Sequence, residues 1–528
     1  MKMKTVSKCC VAVCLLSGFN AYGKDEIRPY SVLPEPQQVA YSKGSFKLKD
    51  KLTIAFPPKL ANEATYCRDV ARHVSAAANP ILQEGKKSGD ITLVLDASVL
   101  SKHPEGYILD IQSKGIVIKA NAPAGILYGI QTLRQLLGAA LEASGQAGTI
   151  QCGTITDYPT LGWRAFLLDE ARHFLGKEVV LKLLDNMSRL KMNVFHWHLV
   201  DIQGWRIEIK KYPELTKTGA ARDNSSFNKS FASFYTQEEI REIVAYAAAR
   251  HITIVPEIEI PGHSGAAIAS YPWLGSADVL NLTNPAVEDF IKDMLEEIIA
   301  LFPGNVIHIG GDEVTYRYWK NTPSIVQYMQ EHNILSPADL QVSFTNRIAH
   351  WLAAKNRRIM GWNEVLGKVI PDYWRPMLPE DHIITQPLTS NAIVHCWEGN
   401  IDLIRETIQE GYDIVNSFHL LTYLDLLGNK YIPLEKAYSF QPVPEGLTAE
   451  QQKKVLGLGC QMWTEQVPDE QNMNTKVYPR IAAYAEVGWT APEKKDYNSF
   501  LKRLDYFLAE WEKQGIRYGQ VQPITAPN

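Results

Sequence analysis

The sequence predicts an α/β architecture: a (β/α)8 TIM barrel preceded by a small α+β accessory domain. Between residues 163 and 463, eight apolar, strand-like runs alternate with polar loops and helix-like stretches, the rhythm of a parallel barrel. Each run ends in a polar or aromatic residue, which suits the C-terminal rim where barrel sites are built. No Gly-rich phosphate loop follows any early run, which argues against a doubly wound open sheet.

Taken in order, residues 1–23 read as an export signal. Lys2, Lys4 and Lys8 flank the apolar run "CCVAVCLLSGF", and "AYG" at 21–23 offers a small-x-small cleavage site. The run is too short to span a bilayer, no later stretch approaches that length, and "VAV" before Cys14 disfavours a lipid anchor. From 24 to 157, the runs "ITLVLD", "YILDI" and "GIVIKA" surround the helix-like "APAGILYGIQTLRQLLGAAL" and form the accessory domain. "TDYP" at 156–159 is the joint, and the barrel occupies 158–528. Its strand candidates are 163–169, 193–199, 252–260, 305–310, 357–362, 392–397, 412–418 and 456–463. Val179, Val180, Leu183, Leu184, Met187 and Leu190 repeat at helical spacing. Thr236 and Glu239 form a capping box, and a last helix runs from about 497 to 514.

Composition excludes several classes. The chain has 528 residues, 45% hydrophobic and 21% charged, ordinary for a globular enzyme with a large core. Without the signal's three lysines, 51 basic residues face 58 acidic ones, a net charge of about −7. With no basic stripe there is no nucleic-acid footprint. Cys67, Cys152, Cys396 and Cys460 are too scattered for a disulfide framework or a zinc site. An exported, cysteine-poor chain fits a bacterial periplasm.

The rim residues carry the chemistry. Successive strand ends supply Asp169 and Arg172; His198 and Asp201; Glu257, Glu259 and His263; Asp312 and Glu313; Trp362 and Glu364; Trp397; Tyr423 and Asp425; Trp463 and Glu465. Acids and an Arg hydrogen-bond hydroxyls while Trp faces pack on C–H surfaces, so the pocket suits a carbohydrate. In "HIGGDEVTYRYW" (308–319) two acids are adjacent. On a strand they would face opposite sides and have different tasks.

"GWRAFLLDEARHF", "HWHLVDIQGWRIEI", "PEIEIPGHSGA", "HIGGDE", "GWNE", "YLD" and "QMWTEQV" resemble, in that order, the β-N-acetylhexosaminidases of glycoside hydrolase family 20. The likeness runs from about Arg28 to the last helix and includes the accessory-domain pattern "GYILDI…GILYGIQTLRQLL". The chain departs from the family at Asp201-Ile202-Gln203, where a second Asp is common. The resemblance implies an exo-acting, retaining enzyme that uses the substrate's own acetamido group, an exception to two-carboxylate chemistry. Glu313 would be the acid/base, Asp312 would support the acetamido group, and Tyr423 would bond its carbonyl oxygen. Trp362, Trp397 and Trp463 would wall the pocket; Arg172, Asp425 and Glu465 would hold outer hydroxyls; Asp201 and His263 would form a relay behind Glu313. Burial and nearby Asp312 should raise the Glu313 pKa. The expected partner is a glycan with a terminal N-acetylhexosamine; no cofactor and no metal are expected.

Other readings compete. His196 and His198 share a strand face, as metal-ligating pairs do, but apart from His263 the later strand ends offer mainly Trp and Glu. They are read as core or as supports. A two-carboxylate glycosidase with Asp425 or Glu364 as nucleophile ranks second, because it leaves Asp312 without a task. A silent sugar-binding protein would leave the acid and its supporters superfluous.

Overall fold

Tyr107, Leu109 and Ile111 point inward from one strand, and Ile116, Ile118 and Ala120 from its antiparallel neighbour. This period of two puts one face of a sheet on a core. The computed structural model describes residues 30–74, 79–144, 149–221 and 233–521; the expected export signal lies outside them. The seven-stranded sheet has the spatial order 38–47, 149–157, 107–112, 115–120, 91–95, 51–56, 79–84. Helices Ala61–Val74 and Pro123–Ser144 pack against each other and against its strands.

The barrel follows. Its strands are β1 (Trp163–Asp169), β2 (Val194–His198), β3 (Thr253–Glu257), β4 (Val306–His308), β5 (Arg358–Trp362), β6 (Ile393–Cys396), β7 (Asp413–Asn416) and β8 (Val455–Met462). All neighbours are parallel and β8 pairs with β1, which closes the ring. Its helices have local causes. Val179, Val180, Leu183, Leu184 and Met187 bury one face of Lys177–Arg189. The Thr236–Glu239 capping box starts Gln237–Ala248, and Asn284 caps Pro285–Leu301 with Pro at the first position. No helix among the described residues is long and apolar enough to cross a membrane.

The barrel interior is layered. At its base Ala165, Val194, Val255, Val306, Met360, Ile393 and Val415 form an apolar plug. Two residues further along each chain the same inward face carries Leu167, His196, Glu257, His308, Trp362, His395 and Ser417. The barrel is thus greasy below and polar above, and the polarity lies under the site.

One buried carboxylate ties the sheet to the barrel. Asp157 accepts hydrogen bonds from Tyr107 Oη (2.7 Å) and Gln37 N (3.1 Å) on the sheet side. On the barrel side it accepts from Lys191 Nζ and Trp489 Nε1, both at 2.9 Å. Lys191 is 0% exposed, and burial lowers its pKa against the pull of Asp157. Lys191→Met should therefore leave a buried carboxylate uncompensated and cost about 3–5 kcal/mol in chemical denaturation. A loss below about 1 kcal/mol would show that the pair does not join the domains.

Candidate active site

β4 stops at His308, four residues short of Asp312. The two acids therefore do not sit on a pleated strand, as the sequence suggested, but on a kinked loop. Gly310, Gly311 and Glu313 have φ of 65°, 89° and 50°. The left-handed backbone at Glu313, not strand alternation, sets the course of its side chain, and both carboxylates come to His263. A Cβ at Gly310 would meet the Glu259 carboxyl, and one at Gly311 the Val365 side chain. His263, opposite, is also left-handed at φ 49°. Such conformations cost a non-glycine residue about 1–3 kcal/mol, and they gather where a site needs them.

A cavity of about 470 Å³ opens at the C-terminal rim. Arg172, Asp201, His263, Asp312, Glu313, Trp397, Tyr423, Asp425, Trp463 and Glu465 all line it. Trp362 does not: it is 1% exposed and lies beneath, with its ring centroid 6.0 Å from Trp463 and 6.4 Å from Trp397. Glu364, the nucleophile of the rival reading, stands behind Trp397 and does not line the cavity. It accepts from Trp397 Nε1 at 3.0 Å and Tyr373 Oη at 2.9 Å. Asp312 Oδ1 and Asp425 Oδ1 are buried without a hydrogen-bond partner in the protein, as groups kept for a ligand would be.

Electrostatics divide the labour. Asp201 receives Arg172 Nη2 at 2.8 Å, His198 Nε2 at 3.0 Å and His263 Nδ1 at 3.1 Å. Burial opposes its charge, but these cations hold it well below the usual carboxylate range. His263 Nε2 lies 3.3 Å from Glu313 Oε2 and 3.6 Å from Asp312 Oδ2. Burial disfavours its charged form, yet Asp201 and Asp312 keep its pKa well above the ordinary value. Glu313 is the correction. Burial raises its pKa, as expected, but hydrogen bonding and charge from His263, with Arg375 and Arg172 beyond, take it below the ordinary value. The charge on His263 thus works against a proton on Glu313. Asp312 is pushed up to about 6, chiefly by burial, with His263 opposing and Glu313 adding. Asp425 reaches about 7 through burial and Glu465.

Glu257 anchors the layer below. It accepts hydrogen bonds from His198 Nδ1 at 2.8 Å and Trp362 Nε1 at 2.7 Å, while His196 Nε2 and His308 Nδ1 each lie 3.0 Å away, the latter accepting from Gly310 N. Burial opposes the charge on His198, but Glu257 and Asp201 push it up to about 10; burial takes His196 down to about 4. The groups His196–Glu257–His308 and His198–Glu257–Glu259 bring ligand-type atoms together, but His308 Nδ1 is already engaged by Gly310 N–H and Glu259 stands 3.8 Å from His198. An indole N–H, which is no metal ligand, shares the carboxylate. The layer is a hydrogen-bonded support for Asp201 and Trp362. The sequence marked His198 and Glu257 as rim residues without the role of bracing Asp201, and it passed over Gln466 and Leu427, which line the cavity. Neither of those two stands at a predicted strand end, so no pattern pointed to them.

A closed parallel barrel whose rim joins an acid pair to aromatic walls and a buried ion network defines a carbohydrate-cleaving enzyme. Residues 161–492 match the profile "Glycosyl hydrolase family 20, catalytic domain" and residues 29–158 match its "domain 2"; the chain belongs to glycoside hydrolase family 20. It is 32% identical to a β-hexosaminidase of Porphyromonas gingivalis, over 98% of this chain and 68% of that one. Among solved structures it resembles an exo-β-N-acetylglucosaminidase from Vibrio harveyi, solved with N-acetylglucosamine. The two share 28% identity over 94% of this chain and 80% of that one, with a TM-score of 0.83. A β-N-acetylhexosaminidase from Bacteroides fragilis is also 28% identical, covering 93% and 97% of the two chains with a TM-score of 0.80.

The double-glycine kink is testable. Gly310→Ala meets both a positive φ and the Glu259 carboxyl, so both acids must shift. Glycoside hydrolysis should lose about 10²-fold in kcat while the melting profile still reports a folded chain. Full activity in this variant would show that the kink does not set the acids.

Proposed function

We propose that this enzyme is an exo-acting, retaining β-N-acetylhexosaminidase that removes terminal β-linked GlcNAc or GalNAc from glycans by substrate-assisted catalysis. The observation that carries the reading is the pair of adjacent acids gathered at His263 Nε2, Glu313 at 3.3 Å and Asp312 at 3.6 Å, in one cavity. Both acids line the cavity with Trp397, Tyr423 and Trp463, Asp312 with a buried oxygen that has no protein partner, while Glu313 also lines the adjoining cavity. Among the described residues no second carboxylate is placed as a nucleophile, since Glu364 is tied up behind Trp397 and Asp425 is pushed up to about 7 by burial and the like charge of Glu465.

In the first step His263 passes its proton to Glu313, and Glu313 gives it to the glycosidic oxygen. The C1–oxygen bond breaks as the acetamido oxygen bonds to C1, and the leaving alcohol departs. The five-membered ring so formed carries positive charge on its N–H. Asp312 faces that nitrogen and Tyr423 holds the carbonyl oxygen, while Trp397 and Trp463 enclose the group above buried Trp362. Glu313, again ionised, then takes a proton from water as that water attacks C1, and the ring opens with net retention. Its low resting pKa suits this second role, and the nearby His263 proton supplies the first. Arg172, Asp425 and Glu465 would hold the outer hydroxyls. The likeness to the Vibrio harveyi enzyme solved with N-acetylglucosamine supports the sugar assignment. The leader at residues 1–23 would export the enzyme to a bacterial periplasm.

Asp312 meets more charge in the transition state than in the ground state. Asp312→Asn should lower kcat by about 10²–10³ and leave KM nearly intact, and glucosides with a plain 2-hydroxyl should be almost inert. Because the ionised form of Asp312 prevails only above about 6, kcat/KM of the native enzyme should fall as pH drops through that value. A sugar trapped on Asp425 or Glu364 by a 2-fluoro glycoside would replace this mechanism with the two-carboxylate one.

A cavity closed by Arg172, Asp425 and Glu465 admits one terminal sugar. A time course on a defined oligosaccharide should therefore release single N-acetylhexosamines from the non-reducing end. Internal fragments appearing first would show that the cavity is open.

A further inference from the structure

A second cavity, of about 350 Å³, adjoins the first. Glu313 is the one residue that lines both. If Glu313 protonates the glycosidic oxygen, as proposed above, the bond that breaks passes Glu313, and the group leaving the first cavity enters the second. The volume lies within the range of small-ligand sites. Tyr316, Tyr373 and Met377 supply apolar wall, suited to the C–H face of a sugar.

The charge on these walls is the informative feature. Lys320 is neutralised by Asp381 at 2.8 Å. His382 is pushed toward its neutral form by burial, and Glu364 is pushed up to about 8 by burial and Asp312, so both are uncharged near neutral pH. Arg375 has Glu313 as its ion-pair partner, and only at 3.7 Å. Its guanidinium rests 3.8 Å over the exposed Trp374 ring, which fixes its plane. Arg317 has no ion-pair partner among the described residues. Arg317 thus stands without a matched acid, and Arg375 with one held only at 3.7 Å, in a cavity that otherwise balances its charge.

We propose that this cavity is a leaving-group subsite in which Arg375 and Arg317 select glycans whose penultimate sugar carries an anionic substituent, a carboxylate or a sulfate. The planar N–H fork pairs with such groups through two parallel bonds, which a neutral hydroxyl cannot match. The same contact would aid the chemistry. An anion that draws Arg375 away from Glu313 removes one of the charges holding that acid ionised, so the productive substrate helps protonate it.

The test uses purified enzyme and matched GlcNAc-β-disaccharides: one linked to a glucuronic acid methyl glycoside, one to its primary uronamide, and a second pair linked to glucose 6-sulfate or glucose. The native enzyme should favour the anionic member of a pair by about tenfold or more in kcat/KM, and added salt should shrink that ratio. Arg375→Gln and Arg317→Gln should each reduce the ratio and the double variant should bring it near one, whereas Arg375→Lys should retain part of it. Because the readout is a ratio within each variant, any general effect of Arg375 on Glu313 cancels. Preference for only the carboxylate or only the sulfate would support the subsite and name its substituent. A ratio near one for both pairs in the native enzyme, or a ratio unchanged in the double variant, would overturn it. An aryl β-N-acetylglucosaminide run in parallel separates the two failures: if it is cleaved, only the subsite is lost; if it is not, the proposed function fails with it.

Discussion

Three cations converge on the carboxylate of Asp201, and the active site is arranged around that convergence. Arg172, His198 and His263 come from three different strand ends, β1, β2 and β3, and no short-range preference brings them together. A buried carboxylate must be met by charge and hydrogen bonds or it does not stay ionised. Satisfying Asp201 therefore fixes three side chains at once. Arg172 is set toward Glu465 and over the Trp463 face, and His263 is set toward the acid pair. His198 carries the connection down to Glu257 and, through it, to Trp362.

The same arrangement lets adjacent carboxylates behave differently. Asp312 and Glu313 are one peptide apart, yet burial drives one up while His263 and Arg375 draw the other down. The separation depends on backbone geometry that is unfavourable in isolation. Left-handed conformations at Glu313 and His263 point the two side chains at one another across the cavity. The barrel scaffold and the Glu257 layer overdetermine these positions, which is the condition for such strain to persist.

Most of this architecture was legible in the sequence. The eight barrel strands announce themselves because inward and outward faces are both buried, which leaves apolar runs such as "NVFHWHL" and "ITIVPEIEI". The rim residues were legible because each follows such a run directly. Legibility failed where geometry rather than composition decides. "NVIHIG" reads as a strand to residue 310 whose alternation extends to Asp312 and Glu313, and only the structure shows that it ends at His308 in a kinked loop. The strands 38–47, 79–84 and 149–157 of the accessory sheet each carry a Gly or a Pro, so their pattern is faint. The direction of the Glu313 pKa depended chiefly on His263, with Arg375 adding from a loop some sixty residues away, and no local pattern sets how close either comes.

Asp157 gives the fold a property that a list of domains conceals. Its carboxylate collects Tyr107 and Gln37 from one side and Lys191 and Trp489 from the other, so neither half has a complete interior alone. Recombination that exchanged the accessory domain for an unrelated one would strand a lysine in the barrel wall, and a truncated barrel would expose an indole whose partner had gone. The two halves are therefore yoked by charge: a substitution that removes either Asp157 or Lys191 leaves its buried counterpart across the joint unmatched.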